Sequence, residues 1–124
     1  MESSILIATK EILGLDSDDD AFDLDIVTHI NTSLSVLFQM GVLLEPKSIQ
    51  DMAAKWDLLA LEPEVLNMAR SYIFLKTQFL WDPPTTSFLI KARQDQIAEL
   101  EYRMAAYAEH AQGPLIPVVV VIDP

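Results

Sequence analysis

A chain of 124 residues with eight Lys and Arg against nineteen Asp and Glu carries a formal charge of -11, so its surface as a whole repels polyanions and ordinary nucleic-acid binding is disfavoured. Hydrophobic residues make up 51% of it, too many for a disordered acidic tail, and the length suits one domain with a packed core. The absence of cysteine removes disulfides, thiolate nucleophiles and cysteine zinc sites together, and is compatible with a reducing compartment.

Ile5, Ala8 and Ile12 stand at helical spacing behind serines and ahead of Gly14, which predicts a short helix over residues 3–13. Asp16, Ser17, Asp18, Asp19 and Asp20 form a solvated connector whose carboxylates suit the positive N-terminal end of the next helix. That helix is expected to begin near Asp23, to turn Ile26, Ile30, Leu34 and Leu37 to one side, and to stop at Gly41. A loop containing Pro46 follows. Ser48 and Asp51 make a variant capping box, so a short helix is expected over residues 49–56.

Pro63 fits the first turn of the next helix, with Leu66, Ala69, Ile73 and Leu80 on its apolar side. Pro83 lacks the amide hydrogen a helix needs and disfavours helical geometry at Asp82, and Pro84 extends the block. Trp81, Asp82, Pro83 and Pro84 therefore form a structural elbow. Thr85, Thr86 and Ser87 offer hydroxyls to the free amides of a last helix over residues 87–109. Ile90, Ile97 and Met104 recur every seven residues along it, with Leu100 and Tyr107 filling alternate rows, as a seam against another helix. Glu99 and Arg103 are four apart in the order that favours an exposed ion pair. After Gly113 and Pro114 the chain turns β-branched, Val118, Val119, Val120, Val121 and Ile122 in succession, which reads as an extended, strand-prone tail. The expected organisation is a helical domain over residues 1–113 and a tail over 114–124. No basic, apolar leader opens the sequence and no apolar run approaches the roughly 20 residues that span a bilayer, so a soluble protein without membrane partners is expected.

Recognised enzymatic motifs are absent from this sequence. Asp16, Asp18 and Asp20 occupy the first ligand positions of a calcium loop, but Ala21 stands where that loop needs glycine and Val27 where it needs a bidentate glutamate. His29 and His110 have no partner at a metal-ligand spacing, and His110 suits the C-terminal end of its helix. Three glycines cannot build a phosphate loop, a dinucleotide fingerprint or a nucleophile elbow. Trp56, Tyr72, Trp81 and Tyr102 lack the surrounding cations of a nucleic-acid stacking platform, and buried helix aromatics are the better reading. No catalytic residue, metal or cofactor is expected.

Residues 22–34, beginning Phe22-Asp23-Leu24, together with Phe38-Gln39-Met40-Gly41-Val42, form a pattern that resembles tailed-phage head-tail connector proteins. The resemblance continues at Trp56, at Tyr72-Ile73-Phe74-Leu75-Lys76, at Asp82-Pro83-Pro84 with Ser87-Phe88, and at Ile97-Ala98-Glu99-Leu100-Glu101-Tyr102-Arg103, in the same order along the chain. It covers roughly residues 3–103. In the family the stretch before the tryptophan is more extended than the helix expected here, and the valine-rich tail has no counterpart in the resemblance.

The resemblance implies a head-completion adaptor in the virion neck, made in the host cytoplasm. Such a protein forms a homo-oligomeric ring, twelve-fold to match the portal, extends the DNA channel without gripping DNA, and receives a downstream neck or tail-completion protein. Asp16, Asp18, Asp19, Asp20, Asp23 and Asp25 are then the candidates for an acidic channel wall, since carboxylates repeated around a ring repel phosphate, with placement on the ring's exterior as the equal alternative. Val118, Val119, Val120, Val121 and Ile122 are the candidates for contact with a neighbouring subunit or the portal, because a free β-branched edge is an aggregation hazard, and the alternative is a tail that packs along its own helices. A rival from another class is an acidic helical DNA mimic or regulatory binding protein that occupies a basic partner's nucleic-acid site. The expected fold is an all-α bundle of four to five helices with an extended tail.

Overall fold

The computed structural model describes residues 3–111, in which four α-helices follow one another: α1 (Ile5–Ile12), α2 (Asp23–Gln39), α3 (Pro63–Trp81) and α4 (Ser87–Ala111). The all-α expectation holds, with no sheet among the described residues. The β-branched tail lies outside them.

The ends of α1 and α2 are set by local chemistry. Ser4 caps α1, its hydroxyl oxygen accepting from the Ile7 amide at 3.2 Å. At the other end Leu15 N–H donates to the Lys10 carbonyl at 2.9 Å and Gly14 N–H to that of Glu11 at 3.1 Å, the paired bonds of a Schellman stop. Gly41 ends α2 in the same way, with Val42 N–H on the Leu37 carbonyl and Gly41 N–H on that of Phe38. Both glycines hold positive φ, +82° and +84°, which L side chains resist. A Cβ at Gly14 would meet nothing within 4 Å, so backbone conformation alone demands glycine there.

The helix expected over residues 49–56 does not form. The side chain of Asn31, on α2, clasps Ile49 through both backbone groups: its Nδ2 donates to the Ile49 carbonyl at 3.0 Å, and its Oδ1 accepts from the Ile49 amide at 2.8 Å. Downstream, the Ala54 carbonyl accepts from the Ile5 amide at 3.0 Å and Ser4 forms an isolated antiparallel bridge with Lys55. These partners, distant in sequence, claim the groups a helix would have used. Asp51 turns back on Ala53 at 2.9 Å in a local loop in place of the expected cap. Helical geometry resumes only in the 3-10 turn Trp56–Leu59, which buries Trp56 and ends at Ala60 in the left-handed region.

Three helices pack on α3, namely α1, α2 and α4. The α2 face is the expected one, with Ile26, Ile30, Leu34 and Leu37 all buried. On α3 the buried residues are Val65, Ala69, Tyr72, Ile73 and Thr77, so the expected stripe is wrong at its ends: Leu66 is half-buried and Leu80 exposed. A helix with neighbours on several sides buries a broad surface that one periodic stripe does not describe. In α1, likewise, Ile5, Leu6, Thr9 and Lys10 are buried, whereas Ile12 is exposed. On α4 the seam is Ile97, Met104 and Ala108, with Ile90, Leu100 and Tyr107 half-buried. Tyr72 ties the α3–α4 interface by donating from its hydroxyl to Glu101 at 2.8 Å. Burial pushes that hydroxyl well above its ordinary titration range, and the bond to Glu101 and its charge add to the shift.

Candidate functional site

Two segments that are far apart in sequence meet at one end of the bundle. The antiparallel course of α2 and α3 brings Phe22, just before α2, onto Trp81, the last residue of α3, with ring centroids 5.0 Å apart in an edge-to-face contact. The aspartate connector and the proline elbow therefore share a surface. Asp82 closes the elbow by leaving helical geometry, at φ −143° and ψ 73°, after donating its amide to the Gln78 carbonyl at 2.8 Å, and Thr86 accepts from the Leu89 amide at 3.3 Å to start α4. Pro83 is exposed and Pro84 half-buried.

The acidic candidates divide into two groups. Asp16, Asp18, Asp19, Asp20 and Asp25 are exposed. Asp16 accepts from the Asp18 amide at 3.3 Å and Asp19 from the Ala21 amide at 3.1 Å, so two of the carboxylates shape the connector itself. Asp23 is different. It forms an ion pair of 2.8 Å with Lys10, whose ammonium also donates to the Ser17 carbonyl at 3.1 Å. The lysine side chain is only 2% exposed and the aspartate 32%. This pair anchors the connector to α1, a role the sequence reading missed. The available signal was position: Lys10 lies four residues after Leu6, one turn along the side of α1 that turns inward.

Exposed apolar side chains stand on the two segments that meet through Phe22 and Trp81. Leu24 and Phe88 are each 80% exposed, and Leu80, Leu89 and Phe22 are also exposed. Large uncovered side chains beside carboxylates make a surface suited to protein contact. Elsewhere, the indole of Trp56 lies under the Arg70 guanidinium at 5.0 Å and against Phe74 at 5.7 Å, a buried structural cluster. Glu99 and Arg103 form no ion pair, and the pair within α4 is instead Lys91–Asp95 at 3.2 Å, about two turns earlier on the exposed surface. His29 is half-buried within α2 and His110 exposed in the last turn of α4. Among the described residues no group of three or more His, Cys, Asp or Glu is placed to hold a metal ion, and no helix is long and apolar enough to cross a membrane.

No curated protein and no solved structure matches the chain. A family model described as phage connector protein matches residues 5–111, from the first residue of α1 to the last of α4. The match takes in the elbow, the aspartate connector and the whole four-helix bundle. The chain belongs to the phage connector protein family, a structural family of the virion that joins head to tail.

Proposed function

We propose that this protein is a head-completion adaptor that assembles as a ring on the portal, extends the DNA channel and presents a docking surface to the next neck or tail component. The observation that carries the reading is the family match over all four helices. The mixed acidic and apolar surface at the elbow end supports it. Ring closure needs heterologous contacts, in which one surface of a subunit meets a different surface of its neighbour. Phe88 and Leu89, on the first turn of α4, are candidates for one side of such a contact. The elbow holds that turn at a defined angle to α3. Twelve-fold symmetry would match the portal.

In this reading Asp16, Asp18, Asp19, Asp20 and Asp25 line the channel and repel the phosphates of passing DNA, while Asp23 stays occupied by Lys10. Val118, Val119, Val120, Val121 and Ile122, outside the described residues, contact a neighbouring subunit or the portal in the assembled ring. No chemistry is required of the protein, and no cofactor or catalytic residue is assigned. Analytical ultracentrifugation of the protein alone and mixed with its cognate portal tests the proposal. Rings, or portal-dependent rings, are expected. A stable monomer that ignores the portal would overturn the adaptor reading and favour the acidic mimic.

A further inference from the structure

A groove of about 390 Å³ opens at the end of the bundle opposite the elbow. Its apolar lining comes from Val42 and Leu44 after α2, Leu59 and Leu61 before α3, Val65 on α3 and Tyr107 on α4. Leu44 is 81% exposed on its rim. Of the three charged side chains on its border, Lys47 pairs with Glu45 at 3.7 Å and Glu62 is exposed to solvent. The groove thus suits an uncharged, apolar occupant.

Such an occupant is tethered beside it. The described chain ends at Ala111, one helical turn beyond Ala108, which together with Tyr107 borders the groove. Beyond it lie Gln112, Gly113 and Pro114, which together reach about 10 Å when extended. Gly113-Pro114 is a turn-forming pair. Next come Leu115, Ile116, Pro117 and the β-branched run to Ile122, with no charge before Asp123. We infer that the groove is the docking site of the chain's own C-terminal segment, residues 115–122, in the free subunit. A short tether holds the segment at a millimolar-scale effective concentration, which a second copy in solution does not reach. Docking removes the segment and the groove from water together and covers a strand-prone stretch that otherwise invites aggregation.

The chain has no cysteine, so introduced pairs can be cross-linked without background. Leu44→Cys combined with Val118→Cys, treated with a short bismaleimide in the full chain at low concentration, places one thiol on the rim and one in the tail. Ala106→Cys with Val118→Cys is the control, because Ala106 is exposed on the side of α4 away from Tyr107 and Ala108 yet close to the tether. The rim pair should close within one chain about tenfold faster than the control. Adding Val120→Asp and Ile122→Asp, which leaves the helical bundle untouched, should bring the rim pair down to the control rate. Equal rates for both pairs would overturn the docking. Cross-links between chains instead of within them would assign the groove to a neighbour's tail and overturn the proposal as stated.

Discussion

Replacing Asp23 with alanine should destabilise the fold far more than replacing Lys10 with methionine, although both changes delete the same ion pair. The asymmetry follows from where each charge sits. Lys10 is 2% exposed, and without Asp23 its ammonium keeps the Ser17 carbonyl as its remaining polar partner. Removing one member of a buried pair costs about 3–5 kcal/mol, because the other charge is left uncompensated. Asp23 is 32% exposed, so water reaches the site and the cost falls at the lower end, about 3 kcal/mol. Loss of a carboxylate from the first turn of α2 adds about 0.5 kcal/mol. In Lys10→Met the buried charge disappears with its partner's need for it, the methionine fills the same space, and Asp23 turns to solvent. About 1 kcal/mol is expected. Urea unfolding followed by far-ultraviolet circular dichroism separates the two. With a slope of about 1.5 kcal/mol per molar, Asp23→Ala should lower the midpoint by about 2 M and Lys10→Met by well under 1 M. Equal shifts, or a larger one for Lys10→Met, would refute the reasoning that the lysine is the member that depends on the pair.

Tyr72→Phe should cost about 1 kcal/mol at neutral pH by deleting the bond to Glu101. Because the folded hydroxyl titrates above the ordinary tyrosine value near 10, the stability it carries is complete below about pH 10 and is lost as pH rises further, by up to about 1.4 kcal/mol per pH unit. The wild type should therefore lose its advantage over Tyr72→Phe in alkaline urea titrations, and parallel pH profiles would contradict the burial argument. Thr77 is fully buried and its hydroxyl has no hydrogen-bond partner, so Thr77→Val should raise stability by about 1 kcal/mol, seen as a thermal midpoint a few degrees higher. A lower midpoint would count against an unsatisfied hydroxyl. Changing Asp16, Asp18, Asp19 and Asp20 together to asparagine should leave the unfolding free energy within about 0.5 kcal/mol of wild type, since these side chains are exposed. It should also slow DNA ejection from assembled particles, most clearly at low salt. Unchanged ejection would remove these residues from the channel wall.

The local signals in the chain were enough for the helices and for where they stop. Gly14 and Gly41 end helices because left-handed backbone is costly for other residues, Ser4 caps because its hydroxyl reaches an amide three residues on, and Pro83 breaks because it has no amide hydrogen. Each of these acts within a few residues, so each is legible in order along the chain, and the family pattern is written over the same segments. Where partners lie far apart, the sequence alone was not enough. Residues 49–56 carry a plausible cap and apolar spacing, yet Asn31 and Ile5 hold the backbone of Ile49 and Ala54 out of helical pairing across separations no local propensity encodes. The pairing of Lys10 with Asp23 joins residues on two different helices, and the α3 stripe changes once three helices lie on it. The meeting of Phe22 with Trp81, which places the acidic connector and the elbow on one surface, exists only because α2 and α3 run antiparallel. Backbone geometry is a short-range property and burial a property of the assembled bundle, and only the tertiary structure settled the second.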